Sequence, residues 1–305
     1  MKKHLFRKTL WLTAMALLFS SASVAQKNRS KPKPKSAPMA IIFAVLRDGK
    51  LIEPIGYVDK KKLAALGDTH ATKAFGNLYY KAKSAYPIIF GGAADGKVEV
   101  VTSNIGKECT GNSADIIAKP VNAMLKGLVM ALATNISPKK NSAAYRRRPT
   151  PQERTAIEAL VGAEFIKAGL APAVLKELRY HNLTALDVDN DGTAEFVGSY
   201  WVAPKVDERA LLFFIAEHDT EGKIVFAHSD YSLIKPDDVM SGEVKDLDGG
   251  VGHELLLDVL DYDGDGVKEI FTLGQAFEGN NYYSYRRDSG KWTRSYESYN
   301  YRCAF

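Results

Sequence analysis

The chain has 305 residues, with 41 Lys and Arg against 36 Asp and Glu and a formal net charge of +5. Nine of the 41 basic residues, and none of the acids, lie before residue 39, so the remainder carries 32 basic against 36 acidic side chains. That balance excludes the basic footprint of a nucleic-acid-binding domain, and no apolar run outside the N-terminal segment is long enough to cross a bilayer.

Residues 1–25 read as a secretory signal peptide. Lys2, Lys3, Arg7 and Lys8 form a charged start, residues 10–19 an apolar stretch, and Ser23-Val24-Ala25 a small-residue cleavage site before Gln26. This predicts a secreted or periplasmic bacterial protein with no transmembrane segment after signal cleavage. Residues 26–38 are basic and Pro-rich, with too few apolar side chains to offset chain entropy, and read as a disordered linker.

Residues 39–149 read as an N-terminal β-rich region. The apolar run at 40–46, the turn Arg47-Asp48-Gly49-Lys50 and the segment 51–58 predict a hairpin. Asp59 is placed to cap a short helix over 60–66. A second hairpin is expected from 86–90 and 97–102, turning at Ala94-Asp95-Gly96. The run 124–133 is read as a strand. Residues 138–149 form a loop carrying Arg146-Arg147-Arg148, a solvated charge run or an anion-binding patch.

A helical segment is expected over 150–179. Thr150 is the N-cap, Pro151 the first helical residue, and Glu153 completes a capping box. Ile157, Leu160, Val161, Phe165 and Ala168 recur at helical spacing before Gly169. Pro172 opens a second short helix reaching Leu178.

Residues 180–305 return to strand patterns and contain two acidic loops. The first is Asp187-Val188-Asp189-Asn190-Asp191-Gly192-Thr193-Ala194-Glu195; the second is Asp261-Tyr262-Asp263-Gly264-Asp265-Gly266-Val267-Lys268-Glu269. Each puts carboxylates at positions 1, 3, 5 and 9 and glycine at position 6. Four carboxylates so close repel one another unless a cation neutralises them, and an all-oxygen set suits calcium. The EF-hand shares the opening but needs a glutamate at position 12 on an exiting helix. Here position 12 is Gly198 or Thr272, and strand-forming residues follow position 9.

That pattern resembles the calcium loops of FG-GAP/VCBS-type repeats, the units of integrin-alpha-like β-propellers, over about residues 180–300. The resemblance implies a mainly β fold of propeller-like antiparallel sheets, blade number uncertain and possibly incomplete, with an inserted helical segment. It implies Ca2+ held by Asp187, Asp189, Asp191, Glu195 and the Thr193 carbonyl, then by Asp261, Asp263, Asp265, Glu269 and the Val267 carbonyl. It also implies a binding or adhesion module for a glycan or protein. An exported hydrolase and an envelope-associated structural protein are the alternatives.

The stretch 246–254 looks like a decayed third copy, with acids at positions 1, 3 and 9 only, and is read as an Asp/Gly-rich turn. Catalytic motifs are lacking: there is no nucleophile elbow, His-Glu-x-x-His helix or P-loop. His70, His181, His218, His228 and His253 are scattered. Asp258 is a candidate for carboxylate-pair glycoside chemistry, which requires a defined separation from its partner. Aromatic residues cluster between Phe277 and Phe305 and suit either a core or a sugar-stacking face. Cys109 and Cys303 form either a disulfide across the chain or two buried thiols.

Overall fold

A computed structural model describes residues 39–66, 72–136 and 144–303. The signal peptide and linker read over 1–38 fall outside them, as do His70, Phe305 and most of the basic loop before Arg146. Within these residues the fold is mainly β, in three antiparallel sheets.

The first sheet closes on itself. It contains β1 (Ala40–Leu46), β2 (Leu51–Asp59), β3 (Lys62–Ala64), β4 (Ala85–Phe90), β5 (Ala93–Ser103), β6 (Ala114–Lys119) and β7 (Ala131–Thr134). The order is β1-β7-β4-β5-β6-β2, and β1 also pairs with β2, so six strands form a barrel with β3 appended to β2. Side chains alternate across a strand. Accordingly Ile41, Phe43 and Val45 fill the barrel, while Ile42, Ala44 and Leu46 face outward into a second core. Both faces are buried, which is why residues 40–46 read as one continuous apolar run. Helix α1 (Lys73–Tyr79), N-capped by the Thr72 hydroxyl, adds Phe75 and Tyr79 to the barrel interior.

The second sheet has the order β12-β11-β10-β9-β8, from β8 (Arg146–Arg147), β9 (Arg179–Leu186), β10 (Glu195–Lys205), β11 (Glu208–His218) and β12 (Ile224–Ile234). The third is the meander β13 (Glu254–Leu260), β14 (Glu269–Ala276), β15 (Gly279–Asp288) and β16 (Lys291–Tyr301). Helix α2 (Pro151–Lys167) starts with the expected capping box and lays Ile157, Val161 and Phe165 on one face of the second sheet. The other face packs Val197 and Ile215 against Leu256 and Ile270 of the third sheet. The third sheet in turn packs Leu255, Leu257 and Phe271 against the outside of the barrel. It is the middle layer, buried on both sides.

Several expectations need correction. The N-terminal strands close into a barrel, and a propeller is not seen among the described residues. No helix covers 60–66: Lys60 and Lys61 adopt positive φ and turn β2 into β3. The β4–β5 turn is Gly91-Gly92, not 94–96, which lie inside β5. Both glycines have positive φ, the requirement of the two-residue hairpin turn that follows strand twist. Of 124–133, only the end is strand. The segment opened by Pro172 is a 3-10 helix, Pro172–Glu177.

Asp258 ties the layers together and is not available for carbohydrate chemistry. It sits at a bulge in β13, fully buried, and accepts hydrogen bonds from the Gly91 and Gly92 amides, both at 3.0 Å. Arg146 pairs with it at 2.6 Å. Burial pushes the Asp258 carboxyl up, and Arg146 with the amides pulls it back. Arg147 pairs with Glu153 at 2.7 Å. Two of the three consecutive arginines therefore serve internal ion pairs.

Cys109 and Cys303 form a disulfide spanning 194 residues of sequence. It joins the β5–β6 loop to the residues after β16, beside the Asn112 amide donating to Asn300 Oδ1 at 3.0 Å. In the chain-entropy description a loop of this length contributes about 5 kcal/mol. The double variant C109S/C303S should melt well below the oxidised wild type, and reductant should lower the wild type to match. A melting temperature insensitive to both changes contradicts a structural role for the bond.

Candidate metal centre

The two acidic loops occupy equivalent places. Residues 187–194 join β9 to β10, the first two strands of one four-stranded meander, and 261–268 join β13 to β14 in the other. Gly192 and Gly266, at position 6, have φ of 86° and 102°. L side chains avoid that region, so the glycine is a requirement of the bend.

The loops share four backbone-to-carboxylate hydrogen bonds. The Gly192 amide donates to Asp187 Oδ2 at 3.1 Å and the Gly266 amide to Asp261 Oδ2 at 3.2 Å. Asp191 N donates to Asp189 Oδ1 and Asp265 N to Asp263 Oδ1. Thr193 N reaches Asp191 Oδ1, and Val267 N reaches Asp265 Oδ1. Val188 N donates to Glu195 Oε2 at 2.9 Å and Tyr262 N to Glu269 Oε2 at 3.3 Å. Most of these carboxylates spend one oxygen on a loop amide, whereas Asp261 spends both, its Oδ1 accepting from the Gly264 amide at 2.6 Å.

The remaining oxygens gather. Ligand atoms of Asp187, Asp189 and Glu195 lie within 4.8 Å of one another, as do those of Asp261, Asp263 and Asp265. Of the expected residues, Asp191 is outside the first group and Glu269 outside the second. Asp191 is exposed and Glu269 buried, each in its own loop. Thr193 and Val267 hold position 7 in the same bends. Asp187 Oδ1 and Glu269 Oε1 are buried with no hydrogen-bond partner. Such orphaned oxygens cost free energy unless something positive meets them.

Burial raises the Glu195 carboxyl to about 7, with Asp189 adding to the rise and Arg287 opposing it. Burial likewise raises Glu269 to about 8, helped by Asp263. A carboxyl at such values is under pressure from its neighbours' charge and from lost hydration.

Two arginines, absent from the sequence reading, supply part of the countercharge. Arg287 Nη1 meets Asp189 at 2.7 Å, and its Nη2 meets Glu195 at 3.1 Å and Glu217 at 2.8 Å. Arg286 meets Asp263 at 2.7 Å and Asp265 at 3.4 Å. Being consecutive on β15, they point to opposite faces of the sheet, and each serves one loop. Asp187 is not among the partners of either arginine's ion pairs.

Lys268 couples the loops. It belongs to the second loop but its Nζ donates to the Asp187 carbonyl at 2.7 Å and to Asn190 Oδ1 at 2.8 Å, while its amide donates to the Val188 carbonyl. It is 2% exposed, and burial pushes its ammonium down against the pull of Asp187 and Asp189. The Gly91-Gly92 turn makes room for it: a Cβ on Gly92 would lie 2.5 Å from Lys268 Cδ.

Nucleophilic chemistry finds no comparable assembly. Ser199 Oγ is 3.4 Å from His253 Nδ1, but burial and His181 push His253 down to about 3, and its Nε2 has no partner to orient it as a base. The 246–254 stretch is a turn: Asp248 pairs with Arg209 at 2.6 Å, and residues Val244–Gly249 form a 3-10 helix.

No family model, curated protein or solved structure matches this chain in comparison. What the site can do rests on its own chemistry. Carboxylate and carbonyl oxygens, with no sulfur or imidazole among them, form a donor set for a hard cation. These acidic clusters could hold a metal ion.

Replacing Lys268 by Met leaves the buried Asp187 carbonyl without its donor, at about 1–3 kcal/mol, while the exposed Asn190 side chain can turn to water. Urea unfolding of K268M should show a loss of that order, and the loop-187–194 amides should exchange faster with deuterium. Unchanged stability together with unchanged exchange in the first loop contradicts the coupling.

Proposed function

We propose that both acidic loops bind calcium, and that the protein is an exported binding module whose two C-terminal sheets are pinned by those ions. The observation that carries this reading is the clustering of carboxylate oxygens in both loops, with one buried, unpartnered oxygen in each, Asp187 Oδ1 and Glu269 Oε1. The ligands are Asp187, Asp189, Asp191, Glu195 and the Thr193 carbonyl in one loop. Those of the other are Asp261, Asp263, Asp265, Glu269 and the Val267 carbonyl. When bound, the ion supplies charge neutralisation and several oxygen bonds per loop. Calcium is favoured over magnesium because a flexible set of carboxylates suits six to eight ligands better than a strict octahedron. The resemblance to FG-GAP/VCBS repeats gains support from the acidic bend between the first two strands of a four-stranded meander, twice over. On this reading the two meanders are propeller-type units set beside a barrel rather than part of a closed ring.

A calcium-pinned scaffold serves recognition by holding the far ends of its strands rigid, and the partner is a glycan or a protein. Arg286 and Arg287 partly compensate the carboxylates when no ion is bound and compete with it when one is. A site at one hundred times its dissociation constant contributes about 2.7 kcal/mol.

Calcium should therefore raise the melting temperature of the full chain, and Asp263→Ala should remove part of that rise. Superimposable melting curves in calcium and in chelator contradict the proposal.

The carboxyls raised to about 7 and about 8 set a pH dependence. Both folded values exceed the ordinary 4.5, so the calcium-free folded protein binds more protons than the unfolded chain between about pH 4.5 and 8. Its stability falls as pH rises through that window. Calcium takes only the ionised carboxylates, so its stabilising effect grows across the same window. Melting curves of calcium-stripped and calcium-loaded protein from pH 5 to 8.5 should diverge as pH rises; parallel curves contradict the assignment of Glu195 and Glu269.

A further inference from the structure

A cleft of about 440 Å³ lies at the ends of the strands opposite the acidic loops. The second loop joins the last residue of β13 to the first of β14, whereas this cleft takes Glu254, the first residue of β13, and Gln275, near the end of β14. Its remaining wall comes from β11, β12, the 238–253 segment, β15 and Arg294 of β16. A second cleft of about 560 Å³ lies on the barrel side of the third sheet. The two share Val251, Gln275, Ala276 and Phe277, so they meet at the tip of the β14–β15 hairpin. Each volume lies in the range of about 300–1,000 Å³ that ligand sites occupy.

The charge of the groove narrows the occupant. The first cleft carries Asp230, Asp238 and Glu254 against Arg294 alone. Arg294 is engaged: it donates to Glu254 at 3.1 Å, to Asp230 at 3.4 Å and to Tyr285 Oη at 3.0 Å, and lies 4.2 Å from the Tyr283 ring centroid. An anionic ligand meets excess carboxylate there. In the second cleft Arg302 is paired with the buried Glu53 at 3.4 Å, which leaves Arg47 against Asp246. A cationic chain long enough to use both clefts meets Arg47. A neutral ligand meets neither penalty.

The surfaces between the charges suit polyhydroxylated rings. Half-buried Phe277 stands where the clefts meet, while the Tyr283 ring is covered by Arg294. Aromatic faces take the apolar side of a sugar ring. The Gln275 and Asn281 amides each offer donor and acceptor in one plane, which matches neighbouring hydroxyls. His253, 1% exposed, lines the same wall with Nε2 unpartnered.

We propose that this groove binds a neutral, linear oligosaccharide lying across Phe277, with the Gln275 and Asn281 side chains bonding its hydroxyls. This rests on the binding-module reading and names its ligand class and site; the melting experiment in calcium tests the acidic loops separately. Titration calorimetry of the calcium-loaded full chain checks it, with cellohexaose, xylohexaose, maltohexaose and chitohexaose as neutral probes and hexalysine and hexaglutamate as charged ones. At least one neutral hexasaccharide should bind with a Kd below about 1 mM. Phe277→Ala should weaken that binding about tenfold or more. Because Phe277 also packs against the Trp201 cluster, Asn281→Ala and Gln275→Ala serve as variants that leave the core intact, with a similar loss expected. Absence of binding by all four sugars overturns the proposal. So does sugar binding unaffected in all three variants, or tighter binding of either charged peptide.

Discussion

The arrangement of the C-terminal half follows from one electrostatic problem, the crowding of carboxylates at two strand-to-strand bends. Backbone amides take one oxygen of most of these acids, and both of Asp261, and so fix the shape of the loop. That same act directs the second oxygens inward, where Arg286, Arg287 and Lys268 compensate them only in part. Two buried oxygens have no partner at all. In water such groups are hydrated at little cost, but inside a protein the penalty for an unmet charge is far larger. The acidic clusters could thus hold a metal ion.

The bends are not isolated features. Lys268 joins the second to the first, and its aliphatic stem lies against Gly92 at the turn of a barrel hairpin. The amides of that turn are held by Asp258 in the middle sheet, which also takes Arg146. A chain of contacts, polar except where the Lys268 stem meets Gly92, therefore runs from the barrel through the middle sheet to both acidic loops. Ordering either loop constrains the other through Lys268. The groove at the opposite strand ends then inherits a rigid frame, which lowers the cost of immobilising a ligand.

Much of this was legible in the sequence where the determinant is local. The β1–β2 hairpin, the Thr150–Glu153 capping box and the apolar stripe of α2 follow from propensity and periodicity, and the acidic bends follow from carboxylate spacing and a glycine that must take positive φ. Where the determinant is distant, the sequence was silent or misleading. Asp95-Gly96 has the composition of a turn but lies in a strand, because Asp95 instead accepts from the Asn122 and Ala123 amides. Closure of the barrel depends on β1 meeting both β2 and β7, a pairing no local pattern specifies. Arg286 and Arg287 read as ordinary residues of an alternating strand until the fold brings β15 beside both loops. The Cys109–Cys303 bond was one of two open readings for the same reason.

Calcium occupancy of the two loops is the claim on which the functional account stands. Equilibrium dialysis of the metal-stripped chain against labelled calcium measures it without reference to stability or ligand. The account predicts two ions per chain at saturation, falling to one when Asp261, Asp263 and Asp265 are all replaced by Asn. Retention of no calcium by the wild type, at concentrations up to several millimolar, would contradict it.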